Sequence, residues 1–240
     1  MPRAMLSNLL GAIIDTCPIF NQPCVLCASR RARHGWCQPC RDSLTRLPSP
    51  HCPRCATPLL QPGLCGRCQH HPPAFDALHA PLVFCYPLDA LIHAFKYGKR
   101  LELAGALSTL LLQFAPPLPL DTDLVIPVPL SKERLADRGF NQSDELARAL
   151  AGTMAQRFVP DLCGRKRNTP SQTHLNLRER RRNLQNAFCV KSRLDGLSVA
   201  IVDDVATTGT TLDTLAVMLK KQGAKRVEAW ALARTLTIIT

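Results

Sequence analysis

The sequence predicts an α/β fold, a parallel sheet with helices, behind a small cysteine-rich metal-binding module. Three observations carry this expectation. Short apolar runs alternate with amphipathic segments from residue 75 onward. Eight cysteines before that point fall into four Cys-x-x-Cys pairs. One apolar run, residues 199–202, ends in two carboxylates and a turn rich in threonine.

The elements follow in order along the larger part of the chain. Residues 77–86 read as a strand region, and residues 88–97 as a short helix stopped by Gly98. Residues 101–114 read as a longer helix, after which Pro116, Pro117 and Pro119 break the chain. Residues 124–128 form a short apolar run of the buried-strand kind, and residues 142–157 carry apolar side chains at helical spacing. Residues 164–183 are polar and densely basic and read as a loop. Residues 199–202 form a second buried strand. Residues 212–221 form a helix with Leu212, Leu215, Ala216 and Leu219 on one face and Gly223 as its cap. Residues 227–233 close as a strand. Strands alternating with helices argue for a parallel sheet. The chain divides into a module at 17–73 and a domain at 75–240.

With 240 residues, 46% of them hydrophobic, the chain can bury a sizeable core, which excludes disorder as the main state. No apolar run is long enough to span a bilayer. Residues 9–14 are apolar but short, and no small-residue cleavage site follows Asp15. The expectation is a cytoplasmic chain without membrane insertion. The formal charge is +12, from 30 Lys and Arg against 18 Asp and Glu. Two zinc ions on eight thiolates would leave about +8. A basic chain meets polyanions, namely phosphorylated metabolites, nucleic acid or a membrane surface.

Cys24 and Cys27 pair with the same spacing as Cys37 and Cys40, and the arrangement repeats at Cys52 and Cys55, then Cys65 and Cys68. In each half nine residues separate the two pairs. Each pair presents two thiolates from one tight knuckle, and two knuckles complete a tetrahedral zinc site. Two structural zinc ions are therefore expected. Sequential pairing keeps each half self-contained, while a cross-braced arrangement would join the first and third pairs. Four thiolates leave no open coordination position, so these sites are structural and not catalytic. Cys85, Cys163 and Cys189 read as small core hydrophobes, and Cys17 has no partner knuckle. His34, His51, His70 and His71 read as solvent-exposed imidazoles.

Residues 199–212 place a buried strand, two acids, a short polar loop and a helix start in that order. A helix start offers unpaired backbone N–H groups and the positive end of a dipole, which suit a phosphate. Gly209 lets the backbone approach an anion, and Thr207, Thr208, Thr210 and Thr211 add hydroxyl donors. Asp203 and Asp204 can accept hydrogen bonds from two neighbouring ribose hydroxyls. The glycines of a dinucleotide fingerprint and the lysine of a Walker loop are missing.

This run resembles the motif that binds 5-phosphoribosyl-1-pyrophosphate (PRPP) in type I phosphoribosyltransferases. With the cysteine module, the chain from Cys24 to Arg234 resembles the ComF family, GntX-like members included. These proteins join an N-terminal zinc ribbon to a phosphoribosyltransferase-like domain. A middle signature runs Pro127, Val128, Pro129, Leu130, then Arg134 and Arg138-Gly139-Phe140-Asn141-Gln142. A third block spans residues 167–172 and leads to Arg178, Arg182, Asn183, Ala187 and Phe188. The same order resembles the amidophosphoribosyltransferase domain of purine synthesis. The resemblance implies a type I phosphoribosyltransferase-like parallel sheet with helices on both faces and an N-terminal double zinc ribbon. It implies that PRPP lies on Asp203, Asp204 and residues 206–211, Ala206 among them, with Pro129, Leu130 and Arg134 at the pyrophosphate. Arg165, Lys166, Arg167 and Arg178 would fold over the leaving group as catalytic residues, and magnesium would bridge ribose and pyrophosphate. The loop departs from the family pattern at Pro129, which has no N–H to donate, so Ser131, Lys132 or Arg134 would have to compensate.

Three readings follow. The chain is a phosphoribosyltransferase acting on an acceptor that its residues do not name. Or it keeps the PRPP fold as a sensor or adaptor. Or it handles single-stranded DNA with its ribbons and basic loop, as ComF proteins are linked to DNA uptake in natural competence. Aromatic residues are 5% and none interleaves the basic loop before Phe188, which gives the third reading little base-stacking support.

Overall fold

The computed structural model describes residues 22–117, 119, 121–165 and 187–236. The cysteine-rich segment contributes two short helices, α1 (Gln38–Asp42) and α2 (Gly66–His70), capped by Cys37 and Cys65. After them come β1 (Ala77–His79), β2 (Leu82–Val83), α3 (Leu88–Tyr97) and α4 (Leu103–Phe114). The chain continues through β3 (Leu124–Pro127), α5 (Lys132–Arg138), α6 (Gln142–Thr153), β4 (Arg157–Phe158) and β5 (Cys163–Arg165). It ends with β6 (Phe188–Val190), β7 (Ser198–Ala206), α7 (Thr210–Lys221) and β8 (Arg226–Arg234).

The main sheet runs β1, β8, β7, β3, β4, with every pairing parallel. β2 also pairs with β8 in parallel, just beyond β1. Side chains alternate across the sheet because successive Cβ atoms point to opposite faces. Val199 and Ile201 pack with Leu212, Leu215 and Leu219 of α7 on one face. Ala200 and Val202 pack with α3, α4 and α6 on the other. This is the expected parallel sheet with helices on both faces. Burial on both faces also explains why the strands read as unbroken apolar runs.

α3 matches its predicted bounds, and β3 and β8 lie within one residue of theirs. α7 starts two residues earlier than predicted, at Thr210. Gly223 sits just past its end with φ 100. The second buried strand is longer than its apolar run, because pairing with β8 continues to Ala206. Both acids therefore lie inside the strand and not beyond it. The predicted segment 142–157 splits, with α6 ending at Thr153 and Arg157 entering β4.

Among the elements that were not legible in the sequence are one helix and one antiparallel pair. α5 has the sequence KERLADR, whose Leu135 is exposed, so it lacks an apolar face. Its caps make it: the Ser131 side chain accepts from the Arg134 N–H, and Gly139 closes it at φ 82. The other is the antiparallel pair β5–β6, in which Arg165 opposes Phe188. Strands of three residues are too short to show periodicity. Gly164 and Arg165 thus belong to a strand, and residues 166–183 of the predicted loop lie outside the described residues.

The cysteine-rich segment packs on the sheet domain at two places. The Trp36 indole N–H donates to the Ala106 carbonyl at 2.8 Å. Beside it Gly35, at φ 81, leaves no room for a side chain, since a Cβ there would lie 2.8 Å from the Ala106 Cβ. Further on, Ala56 joins the α7-side core, while Trp36 and Leu44 join the opposite one. No helix among the described residues is long and apolar enough to cross a membrane.

Phe95 of α3 is fully buried in the second core. Phe95→Ala is expected to cost about 3–5 kcal/mol, read as a lower urea midpoint at unchanged slope.

Candidate functional site

The four sulfurs of Cys24, Cys27, Cys37 and Cys40 lie within 4.8 Å of one another, as do those of Cys52, Cys55, Cys65 and Cys68. The pairing is sequential, which decides between the two arrangements open in the sequence. Zinc–sulfur bonds of about 2.3 Å place tetrahedral sulfurs about 3.8 Å apart. The Cys27–Cys37 and Cys55–Cys65 sulfurs are 3.6 Å apart, so both groups fit the ion. All described cysteines are free thiols. Without a cation the sulfurs oppose one another's ionisation. Burial and neighbouring sulfurs push Cys40 and Cys68 well above the usual thiol range. Burial works against Cys24 and Cys52 too, yet backbone N–H groups hold them at about 6 and about 7. A zinc ion resolves that conflict by accepting all four thiolates. Cys163 is buried, Cys85 and Cys189 are half-buried, and the four histidines of the module are exposed.

The acid pair sits where β7 leaves the core. Asp203 is half-buried, and its Oδ1 accepts from the Ser143 hydroxyl and from the Asp204 N–H, each at 2.9 Å. Asp204 is buried, with its Oδ2 2.8 Å from Lys96 Nζ. Lys96 comes from the last turn of α3 and Ser143 from the first turn of α6, so two helices on one face of the sheet hold the two carboxylates. Burial, then the Asp204 charge, pushes Asp203 up to about 7, against the pull of Lys96 and Ser143. The pair thus carries a proton part of the time near neutral pH.

Beyond the acids the chain turns into α7. Gly209 caps the helix at φ 75, a left-handed conformation that glycine adopts without strain. A Cβ there would meet only ordinary contact with Phe75, so conformation and not space selects the glycine. Asp203, Ala206, Thr207, Gly209, Thr210 and Thr211 line a small cavity over this turn. Thr208 does not line it; its hydroxyl lies 2.7 Å from that of Thr210 and accepts from the Thr210 N–H, bracing the turn.

A larger cavity adjoins the first, and Asp203, Val205 and Thr211 line both. Its other walls include Asp204, Pro129, Leu130 and four basic side chains, Lys96, Arg134, Arg138 and Arg165. Burial, and then the neighbouring Arg134, disfavour the charge on Arg165. Cations gathered this closely favour an anion between them. Of the three candidates to compensate for Pro129, only Arg134 lines this cavity. Ser131 caps α5, and Lys132 is exposed. Lys166, Arg167 and Arg178 lie outside the described residues.

Four polar wall residues were not singled out as site residues from the sequence: Lys96, Arg138, Gln142 and Ser143. Arg138 donates to the Gln142 side chain at 3.0 Å, and Gln142 to the Phe95 carbonyl at 3.4 Å, which ties α5, α6 and α3 together. The sequence held a signal for two of them, since Arg138 and Gln142 belong to the middle signature. Lys96 sits in an ordinary amphipathic helix and carried none.

Residues 18–69 match the double zinc ribbon domain family, and residues 136–237 match the phosphoribosyl transferase domain family. The chain is 40% identical over 224 residues to the DNA utilization protein YhgH of Salmonella typhi, covering 89% of this chain and 97% of that one. It is 31% identical to Competence protein F of Haemophilus influenzae, over 90% of this chain and 98% of the other. It is 28% identical to Competence protein ComFC of Bacillus subtilis, over 83% and 84% respectively.

Metal analysis of the purified protein is expected to give about two zinc per chain, and about one for Cys52→Ser. Asp203 is raised in the folded state, so the native chain holds a proton that the unfolded chain releases above its ordinary carboxylate range. Stability should therefore fall as pH rises through that range to about 7, and level off above it. Asp203→Asn removes this penalty, and its gain in Tm should be larger at pH 8 than at pH 5.

Proposed function

Because the chain belongs to the ComF family, whose members join a double zinc ribbon to a phosphoribosyltransferase domain, we propose that it binds PRPP with magnesium and transfers the phosphoribosyl group to an acceptor. The observation that carries this reading is the continuity of the two cavities through Asp203. An anion-binding turn, an acid pair and a basic cavity lie in the order of 5′-phosphate, ribose and pyrophosphate.

The residues divide the work. Thr207, Gly209, Thr210 and Thr211 hold the 5′-phosphate with N–H and hydroxyl donors. Asp203 and Asp204 accept from the two ribose hydroxyls. Arg134, Arg138 and Arg165 meet the pyrophosphate, joined by Lys166, Arg167 and Arg178 from the basic segment. An acceptor lone pair forms a bond to the anomeric carbon as the bond to pyrophosphate breaks. Pyrophosphate leaves with the electron pair, and the acceptor gives up its proton. Positive charge develops on the sugar and negative charge on the leaving group, so carboxylates below and guanidinium groups beyond stabilise both. Magnesium, when bound, would be held beside Asp203 and Asp204 and would supply positive charge against the charge that develops on the leaving group, and it needs few protein ligands.

A second reading draws on the relatives' names, DNA utilization protein and competence proteins. Here the basic cavity and ribbons grip single-stranded DNA, and the site serves as a PRPP-fold adaptor in DNA uptake.

Asp204→Ala separates the two. Losing a hydrogen bond to a charged group costs about 1.5–3 kcal/mol, so PRPP affinity with magnesium should fall about ten- to a hundredfold by calorimetry. The same change frees Lys96 from its 2.8 Å ion pair and adds a cation to the cavity. A DNA shift assay should then show unchanged or tighter binding. Intact PRPP affinity in the variant, or no PRPP binding by the wild type at millimolar ligand, would sink the phosphoribosyl reading.

A further inference from the structure

The turn between β7 and α7 is gripped from behind. Arg234, the last residue of β8, is buried at 6% exposure. Its Nη1 donates to the Ala206 carbonyl at 2.9 Å and to the Thr207 carbonyl, and its Nε donates to the Cys55 carbonyl at 3.2 Å. Cys55 is a ligand of the second cysteine group. From the same group's helix α2, Arg67 Nη1 donates to the Thr208 carbonyl at 3.2 Å. Two guanidinium groups thus hold three successive carbonyls, one anchored on a zinc knuckle and the other part of one. The knuckle's following segment adds Phe75 beneath Gly209 and the Ala74 N–H, which donates to Asp213 of α7 at 2.7 Å.

A trans peptide is planar, and its N–H points opposite to its C=O. Fixing the carbonyls of Ala206, Thr207 and Thr208 therefore fixes the N–H groups of Thr207, Thr208 and Gly209. With the carbonyls drawn toward the two arginines, these donors face the other way, and Thr207 and Gly209 among them line the small cavity over the turn. A turn free to rotate its peptides would present donors and acceptors in mixture, and the acceptors would repel a phosphate. Arginine suits this task because one rigid fork spans several carbonyls, whereas an ammonium is a single point.

We propose that the second zinc ribbon is part of the phosphate site: through Arg234 and Arg67 it sets the peptide orientations that receive the 5′-phosphate. Both are positioning residues that act through the turn. The proposal rests on the phosphoribosyl reading of the site and adds that zinc at Cys52, Cys55, Cys65 and Cys68 controls affinity for the phosphate end of the ligand.

The test uses the full zinc-loaded chain, with ribose 5-phosphate and inorganic pyrophosphate as separate probes in calorimetry. Arg234→Lys keeps the charge and loses the fork. It should weaken ribose 5-phosphate binding by about tenfold, the loss of roughly one charge-assisted hydrogen bond. Arg67→Ala, at an exposed position, should weaken it by about threefold. Pyrophosphate, which meets the other cavity, should bind both variants as it binds the wild type. Cys65→Ser should reproduce the selective loss. Equal loss for both probes would mean general disruption and would overturn the proposal, as would unchanged ribose 5-phosphate affinity in Arg67→Ala and Arg234→Lys. If Arg234→Lys fails to fold, Arg67→Ala and Cys65→Ser decide. A wild type that binds neither probe would instead reject the phosphoribosyl reading itself, and the proposal with it.

Discussion

β7 is hydrogen-bonded on both edges, to β3 and to β8, and covered by helices on both faces. Past Ser198, a strand so enclosed carries only apolar side chains until it reaches the sheet's carboxyl edge. Polar chemistry is therefore confined to its last residues and the turn beyond. That is the crevice where open α/β sheets bind ligands. The acid pair, the glycine cap and both cavities occupy this one rim, and the helices that bring Lys96 and Ser143 belong to the core that covers one face of the same strand.

The electrostatics of the rim are those of a receptor and not of a core. Two adjacent carboxylates would repel if both were charged, and the chain relieves this with Lys96 on one side and a partly retained proton on the other. Opposite them, burial and the neighbouring Arg134 disfavour the charge on Arg165. Interactions that oppose folding persist where a ligand balances them. A ligand with hydroxyls at one end and polyanionic charge at the other would relieve both strains together.

The cysteine module solves a different problem. Its small segments bury little apolar surface, so a metal staple must supply much of their folding energy. Once folded, each half leans on the sheet domain. The first half does so through Trp36 against α4, and the second through the knuckle that meets the turn before α7. The module's rigidity is thereby transmitted to a loop more than a hundred residues away in sequence.

By itself the sequence determined the parallel sheet, the four cysteine knuckles and the turn after β7. Each of these rests on local spacing: apolar runs between helices, knuckles that must present two sulfurs, and glycine and threonines at a helix start. α5 and the β5–β6 pair escaped it, because caps and cross-strand pairing replace periodicity in elements that short. Tertiary structure alone decided which knuckles share an ion, since both pairings satisfy the same spacing. It also chose Arg134 over Ser131 and Lys132, because the turn of α5 points just one of them into the cavity. Lys96, Ser143, Arg67 and Arg234 could not be found from the chain alone. Lys96, Ser143 and Arg67 reach the site across large sequence separations, through helices that pack over the sheet and the knuckle that meets the turn, while pairing of β8 with β7 sets Arg234 beside Ala206.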